Sequence, residues 1–389
     1  MDKIEIREVK SKKDLKQFVN FPFTLFNGNK YWCPPIKTEE INLLRKDRNP
    51  AFEYCDADYW MAFKNGKPAG RIAGIINPKA NERWNVKLAR FGWLDFIDDP
   101  EVSLRLFETV IQWARSKGMT GFHGPLGFTD FDAQGMLIEG YNEISSMSAL
   151  YNYPYYVDHM WKLGFRKSVD WVQFEMKVPD KVPEKVNRIT KIALQKYNLR
   201  LLEARNRKEL RPYTQKLFSL YNRVFNEIYG FNALSQKQID HYIRMYFGYI
   251  RTEFLSLVID EKDDVVGFGI SIPCLAKAMQ KANGSLFPFG FIHLLRAMRK
   301  NDTIHMYLIG VHSDYHGKGL LALIYNDLTR AYIEAGIKIA HTHPQLEENL
   351  KAISIWKNYD NRIYIRRRCW ILDDFNGFNP ANPANPVIL

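Results

Sequence analysis

The stretch HMYLIGVHSDYHGKGLLALIYNDLTRA, residues 305–331, decides the fold class. From His305 to Val311 the side chains alternate with the two-residue period of a pleated strand. From Leu320 onward apolar residues recur at helical spacing, and this run stops at Gly336, as a helix stops at a residue with left-handed backbone. The stretch therefore predicts a strand, a turn and a helix.

Six residues, Asp314 to Gly319, join the predicted strand to the predicted helix. Gly317 and Gly319 let the chain turn tightly and leave backbone N–H groups uncovered at the start of the helix, where the helix dipole also favours an anion. His316 and Lys318 can add charge-assisted donors. The turn predicts a phosphate or pyrophosphate site, although a glycine turn that binds nothing has the same pattern.

Two motifs in this half resemble a known family. Val311 followed by residues 314–319, Asp-Tyr-His-Gly-Lys-Gly, is similar to the phosphate-binding motif of the GNAT superfamily of acyl-CoA N-acyltransferases, usually Q/R-x-x-G-x-G/A after a strand, and Asp314 departs from that form. Residues 349–356 resemble the second signature, N-x-x-A-x-x-x-Y, with Trp356 at the tyrosine position. The resemblance covers roughly residues 200–372 and implies a GNAT fold.

The resemblance also implies that the second half binds acetyl-CoA or another acyl-CoA as a co-substrate. In the family the acyl oxygen is held by backbone N–H groups of the strand that here carries Val311. Asn349 is carried over as a CoA contact, and it is equally suited to cap a helix. The residues expected to bind CoA are Ile309, Val311, Tyr315, His316, Gly317, Lys318, Gly319, Leu320, Asn349 and Trp356.

Acyl transfer from a thioester to an amine needs an acid for the leaving thiolate and a base for the ammonium. The family's acid is the tyrosine of the second signature, and Trp356 cannot replace it because an indole has no labile proton. Tyr359, one helical turn later, is the candidate acid, with a buried core tyrosine as the alternative.

The candidate base is His343. His341 and His343 lie two apart on a predicted strand, so they share a face, and His343 is nearer the cleft. A neutral histidine can accept a proton near physiological pH, and a hydrogen-bonded structural histidine is the alternative. The spacing does not supply enough further ligands for a metal ion, so no metal is expected.

The two halves of the chain repeat one order of predicted elements: hairpin, strand, capped helix, glycine, short strand and proline. We therefore expect an α/β protein of two tandem GNAT-like domains, each with a mixed, mostly antiparallel sheet flanked by helices. The predicted division is a degenerate domain at 1–180, a linker helix at 181–197, and an acyl-CoA-binding domain at 198–389.

The repeats differ in two places. The second carries an insertion near residues 275–300, apolar and then basic, which suits a lid, a membrane-surface helix or a peripheral helix. At the position of the glycine turn the first has Asp98-Asp99-Pro100-Glu101, whose carboxylates would repel a pyrophosphate. The first repeat is therefore not expected to bind CoA.

Composition sets the class of protein. A chain of 389 residues with 46% hydrophobic residues is long enough for two folded domains. Its four cysteines have no paired spacing, its N-terminus lacks the apolar core of a signal peptide, and no apolar run is long enough to span a membrane, so we expect a cytoplasmic protein. Residues 1–180 hold 25 basic and 24 acidic side chains, whereas the rest hold 30 and 19.

The basic second half suits a polyanionic ligand such as CoA. The sequence thus predicts a CoA-dependent N-acyltransferase that uses its second half, with acetyl transfer as the expected reaction. It would transfer acyl groups other than aminoacyl groups to a small-molecule amine or amino-acid-like acceptor, with no DNA partner. One alternative is a tandem GNAT aminoacyl-transferase that uses charged tRNA, which the basic charge would also suit. The other is a non-catalytic acyl-CoA-binding or regulatory protein that has lost its acid. Neither the acceptor nor the oligomeric state is predicted.

Overall fold

A computed structural model describes residues 2–246, 248 and 250–378. Strands and helices alternate through the first 180 residues. In chain order they are β1 (Ile4–Glu8), α1 (Lys12–Leu25), α2 (Lys37–Leu43), β2 (Asp56–Lys64), β3 (Lys67–Ile76), α3 (Pro78–Trp84), β4 (Leu88–Phe96), α4 (Pro100–Ser116), β5 (Gly121–Gly124), β6 (Met136–Glu139), α5 (Tyr155–Lys162) and β7 (Arg166–Lys177).

The second half continues with a similar succession. Its elements are α6 (Glu184–Lys196), β8 (Arg200–Leu201), α7 (Arg207–Val224), α8 (Gln236–Tyr246), β9 (Leu255–Ile259), β10 (Val265–Pro273), α9 (Ala276–Ala282), α10 (Gly290–Arg299), β11 (Thr303–Val311), α11 (Leu320–Glu334), β12 (Ile339–Thr342), β13 (Gln345–Leu346), α12 (Leu350–Ile353) and β14 (Asn361–Leu372).

Local sequence explains several of these elements. Asn65 and Gly66 adopt φ angles of 52° and 79°, the left-handed pair of a tight hairpin, and so join β2 to β3 as predicted. Ser11 caps α1 by accepting the N–H of Asp14, and the Asp14 side chain accepts the N–H of Ser11 in return. Gly336, with φ of 72°, follows α11 as the sequence predicts.

Within the described residues the strands form one 14-stranded sheet in which each half repeats the other. Its order is β1-β2-β3-β4-β5-β14-β7-β12-β11-β10-β9-β8, with β6 paired to β14 and β13 paired to β7. The parallel pair β4 and β5, joined through α4, corresponds to the parallel pair β11 and β12, joined through α11. The repeat predicted from the sequence is thus visible in the topology.

The last strand of each half completes the sheet of the other half. β14, from the end of the chain, pairs with β5 of the first half, where Ile371 lies opposite His123. β7, from the first half, pairs with β12, where Glu175 lies opposite His341. The two exchanged strands also pair with each other along most of their length. Sheet pairing therefore crosses residue 180, and the division of the chain into domains stays a prediction.

Helix α11 packs closely against the second half of the sheet. Leu323, Ile324 and Leu328 on its inner face are buried to 1% exposure or less. A Cβ atom on Gly269 of β10 would lie 2.5 Å from Cγ2 of Ile324, so only glycine allows this approach. Close packing fixes the start of α11 relative to the strands beside it.

Candidate acyl-CoA site

The candidate site is a cleft between two parallel strands. β11 and β12 are paired from Thr303 opposite Ile339 to Met306 opposite Thr342, and there the pairing ends. β11 continues to Val311 along β10 alone. The edge of β11 from Tyr307 to Val311 that faces away from β10 is therefore not covered by β12.

Backbone donors line this uncovered edge. The N–H of His312 donates to the carbonyl of Val266, 2.9 Å away, so at position 312 the donors point toward β10. Backbone N–H groups alternate in direction along a strand, so those of Val311 and Ile309 point into the cleft. These are two of the residues predicted to contact the acyl-CoA.

The glycine turn lies at the end of the cleft. Gly317 and Gly319 have φ angles of 74° and 84°, in the left-handed region that suits glycine, and Gly319 occupies the N-cap position of α11. No side chain among the described residues caps this helix. The first N–H groups of α11, beginning at Leu320, have no acceptor within the helix itself, so the turn can receive an anion.

Basic side chains and the exposed carboxylate of Asp314 lie at the turn. His316 is exposed, with Nε2 3.1 Å from the carbonyl oxygen of Val311. Lys318 places Nζ 5.1 Å and 5.3 Å from the ring centres of Tyr197 and Tyr315. Arg223 of α7 was not among the residues predicted to bind CoA. Its Nη1 lies 2.5 Å from Nε2 of His312. These groups make the mouth of the cleft basic.

The second-signature residues lie on the α11 face of the sheet. Trp356 is 2% exposed, donates its indole N–H to Oε1 of Gln345 at 3.0 Å, and packs on Tyr325. Tyr359 is half-buried beside Trp356, and burial raises the pKa of its phenol. Asn349 is exposed and precedes α12, where its carbonyl accepts the N–H of Ile353.

His343 lies on the opposite face of the sheet from Tyr359. Met306 packs in the cluster below α11, so its neighbour on β11, Tyr307, points to the other face. The ring of His343 lies 5.9 Å from the ring of Tyr307. Burial lowers the pKa of His343 to about 4, so its imidazole is neutral at pH 7. The structure places the two predicted catalytic residues apart, and their roles stay predictions.

A row of polar side chains crosses four strands on the His343 face. His305 on β11, His341 on β12 and Glu175 on β7 are opposite one another in the strand registers. Nε2 of His341 lies 3.1 Å from Oε2 of Glu175, and Nε of Arg362 on β14 lies 2.8 Å from Oε1. The Arg362 guanidinium holds the pKa of Glu175 below its usual range.

Two further side chains contact the histidines of the row: Cys274 lies beside His305, and Tyr364 stacks on His341. Sγ of Cys274 lies 3.2 Å from Nε2 of His305, and burial holds the pKa of His305 well below its usual value. The ring of Tyr364 stacks on His341 with 4.5 Å between centres. Sequence reasoning missed Glu175, Cys274 and Tyr364, and no signal in β7 distinguishes Glu175 from the other carboxylate of that strand, Asp170.

A buried guanidinium lies next to this row. Arg367 has 0% exposure and donates from Nε to Oε1 of Gln173 at 3.1 Å and from Nη1 to the carbonyl of Leu150 at 2.5 Å. Burial lowers its pKa to about 10. Within the described part of the chain, its Nη2 atom has no hydrogen-bond partner.

A surface groove opens near the same face. Its volume is about 470 Å³. The lining residues are Gly28, Asn29, Lys30, Tyr31, Tyr141, Asn142 and Tyr151. Tyr151 shares an apolar cluster with Tyr364, whose ring stacks on His341. Tyr151 thus belongs both to the lining of the groove and to the packed aromatic cluster beside the polar row.

The equivalent turn of the first half is arranged differently. Oδ1 of Asp99 accepts the N–H groups of Glu101 and Val102 at the start of α4, at 3.0 Å and 3.4 Å, and Oδ2 lies 2.6 Å from Nζ of Lys64. Oδ1 of Asp98 lies 3.0 Å from Nε2 of His159. The helix start that would hold a phosphate is thus occupied by the protein's own carboxylates.

Comparison with curated proteins gives two distant relatives. No family model matches the chain. Protein YghO of Escherichia coli is 26% identical over 313 residues, which cover 80% of this chain and 79% of that protein. A protein named bacterial ceramide synthase, from Caulobacter vibrioides, is 25% identical over 75% of this chain and 76% of its own length.

Comparison with solved structures decides the fold. A tandem GNAT protein from the clavulanic acid biosynthesis pathway matches with a TM-score of 0.54 at 12% identity, over 95% of this chain and 98% of that one. The chain has the tandem GNAT fold. This chain also matches the GCN5-related glucosamine N-acetyltransferase region of a fungal multi-domain β-N-acetylglucosaminidase, with a TM-score of 0.56 at 15% identity. The match covers 96% of this chain and 38% of the fungal chain. The predicted fold class is confirmed.

Two further structural features bear on metal binding and on membranes. Among the residues described, no group of three or more His, Cys, Asp or Glu side chains is arranged to hold a metal ion. In the same residues no helix combines the length and the apolar character needed to cross a bilayer.

Proposed function

We propose that the protein is an acyl-CoA-dependent N-acyltransferase whose second half binds the acyl-CoA. The observation that carries the proposal is the uncapped start of α11, with left-handed Gly317 and Gly319, at the open end of the cleft between β11 and β12. Helix starts of this kind bind phosphate because their unpaired N–H groups and the helix dipole act together.

The proposed binding mode follows the cleft. The pyrophosphate would lie on the N–H groups at Gly319 and Leu320, next to the side chains of His316 and Lys318. The pantetheine arm would run along the uncovered edge of β11. The N–H of Ile309 or Val311 would then hold the thioester oxygen, whose negative charge grows during the reaction.

The proposed reaction forms one bond and breaks another. The neutral amine of the acceptor attacks the thioester carbonyl carbon, a C–N bond forms, the C–S bond breaks, and CoA leaves as a thiolate. His343, neutral at pH 7, would take the proton from the amine nitrogen. Tyr359, whose phenol is protonated at pH 7 and has a pKa raised by burial, would give a proton to the thiolate. Both roles are part of the proposal.

We further propose a long-chain amino alcohol as the acceptor. One relative, 25% identical over three quarters of both chains, is named bacterial ceramide synthase, and a ceramide is the N-acyl derivative of such an amino alcohol. The groove lined by Tyr31, Tyr141 and Tyr151 offers aromatic surface to an apolar chain. The donor would then be a long-chain acyl-CoA.

Two glycine variants test the binding proposal. Gly317→Asp should abolish CoA binding, because the carboxylate occupies the anion site. Gly336→Asp is the matched control: both residues have positive φ and open space around a new Cβ, so both variants bear a similar backbone strain of about 1–2 kcal/mol. Calorimetric titration with CoA would reject the proposal if folded Gly317→Asp bound CoA as Gly336→Asp does.

A second assay distinguishes the function from its alternatives. Thiol release from palmitoyl-CoA or acetyl-CoA is measured with sphinganine or glucosamine as the amine. Release that depends on sphinganine supports the proposed acceptor, and release only with glucosamine supports a sugar acceptor. CoA binding without release supports a non-catalytic protein, and transfer only from charged tRNA supports an aminoacyl-transferase.

A further inference from the structure

The insertion of the second half carries exposed apolar side chains at its tip. It forms a hairpin of α9 and α10, and the exposed fractions are 83% for Phe287, 70% for Phe289, 42% for Phe291 and 52% for Leu295. We call these four residues the apolar tip. Three aromatic rings exposed within five residues are a costly arrangement in water, since each buries a large area when it finds a partner.

The hairpin is held firmly on its inner side, so the exposure of the apolar tip is not a sign of loose packing. Nε2 of Gln280 donates to the carbonyl of Lys30 at 2.9 Å, and the N–H of Lys37 donates to the carbonyl of Gly284 at 3.0 Å. A Cβ on Gly284 would lie 2.4 Å from the ring of Phe23. The apolar tip points away from these contacts.

The spacing of the apolar tip continues along one face of α10. Phe291 and Leu295 are four residues apart on α10, the spacing at which helical side chains share a face, and Phe287 and Phe289 lie just before the helix begins. Leu294, next to this face, is 7% exposed and packs with α9. α10 therefore has one apolar face toward the protein and a second one toward the outside.

The charged side chains of the hairpin itself are all basic. Residues 265–301 contain no aspartate or glutamate. The same range contains the five cations Lys277, Lys281, Arg296, Arg299 and Lys300. Arg296, Arg299 and Lys300 are exposed at the end of α10. A surface that combines exposed phenylalanines with basic side chains only is complementary to an anionic phospholipid bilayer.

We propose that the apolar tip inserts into the surface of a membrane that contains anionic phospholipids. The phenylalanines enter the boundary between headgroups and acyl chains, and the arginine and lysine side chains of α10 contact the phosphates. A protein partner would not require the absence of acidic residues from residues 265–301, whereas an anionic bilayer disfavours each carboxylate.

The docking surface is joined directly to the polar row. α9 begins two residues after Cys274, and α10 returns to β11, where His305 lies 3.2 Å from Cys274. A membrane at the apolar tip would therefore lie at the end of a short hairpin whose base is at His305. Membrane docking goes beyond the proposed function, because it needs neither acyl-CoA nor an acceptor.

Vesicle binding tests the proposal without any assay of activity. The full chain is sedimented with vesicles of phosphatidylcholine containing about 30 mol% phosphatidylglycerol, and with vesicles of phosphatidylcholine alone. We expect binding to the anionic vesicles that weakens as salt is added. Phe287→Ser/Phe289→Ser should lower the bound fraction about tenfold. Ile192→Ser, at a residue of α6 that is 51% exposed, is the matched control and should bind as the wild type does.

A charge variant and an oligomer measurement complete the test. Arg296→Glu/Arg299→Glu should also weaken binding about tenfold, whereas Lys12→Glu/Lys13→Glu, an equal charge change on exposed residues of α1, should not. Thermal melts confirm that all variants fold. A wild type that ignores anionic vesicles overturns the proposal. So does sedimentation velocity that shows a dimer converted to monomer by Phe287→Ser/Phe289→Ser, since the tip would then be covered by a second molecule.

Discussion

Glu175 and His341 are 166 positions apart in the chain, yet they face each other on adjacent strands with Oε2 and Nε2 3.1 Å apart. The contact joins a strand of the first half to a strand of the second. It also orients the imidazole that stacks on Tyr364 and lies 5.0 Å from the ring of His305. One carboxylate therefore fixes the polar row at the centre of the sheet.

Glu175→Gln should destabilise the protein by about 1–2 kcal/mol, because the neutral amide loses the charge-assisted bond to Arg362 and the acceptor for His341. Urea unfolding measures the change. The matched control is Glu139→Gln, where the carboxylate pairs with Arg366 and its side chain is 62% exposed, so little change is expected. If the two variants had equal free energies of unfolding, Glu175 would not stabilise the protein through its contacts with His341 and Arg362.

Acyl-CoA should bind with a stoichiometry of one per chain. The start of α4 in the first half is capped by Asp99, whose pKa stays low beside Lys64, so its carboxylate is charged and repels phosphate at neutral pH. Isothermal titration with CoA counts the sites. Binding of two CoA molecules per chain would show that the start of α4 also binds CoA. The Gly317→Asp variant would then still bind one CoA molecule.

Tyr359→Phe should lower kcat by about 100-fold with little change in the affinity for acyl-CoA, if the phenol protonates the leaving thiolate. A tyrosine that only packs against Trp356 would give a different result, a small loss of stability with kcat intact. Steady-state kinetics and thermal melts of the same preparation separate the two outcomes. A wild-type kcat would remove Tyr359 from the mechanism.

The stability of the protein should fall in acid partly because of His343. Its pKa is about 4 in the folded protein and about 6.5 in the unfolded chain, so between these pH values the unfolded state takes up a proton that the folded state does not. Unfolding free energy must therefore decrease as pH falls through this window. His343→Gln should reduce that decrease in urea melts.

The local parts of the site could be predicted from the sequence. Strand alternation, the two glycines and the helical spacing after Leu320 each depend on neighbouring residues only, and β11, the turn and α11 are where these patterns indicate. The acidic turn at Asp99 was equally readable, because a capping carboxylate acts within three residues of its own position.

The partners of these elements could not be predicted in the same way. Periodicity identifies β7 and β14 as strands, but it holds no information on which strand lies beside them. Glu175, Arg362 and Arg367 come together only because these two strands are exchanged, so their contacts depend on residues more than 160 positions apart. The motif of residues 349–356 identified Trp356 in the sequence. Only the three-dimensional structure shows which face of the sheet its side chain covers.

The exchange of β7 and β14 has a consequence for synthesis on the ribosome. The first half cannot close its sheet when residue 180 emerges, because the partner of β5 is β14, which is translated only at residues 361–372. Until then β5 presents an open edge of the kind that pairs with other chains. The sheet of the first half therefore closes only after residue 372 has emerged, and a nascent chain stalled before residue 361 is a substrate for chaperones or for aggregation.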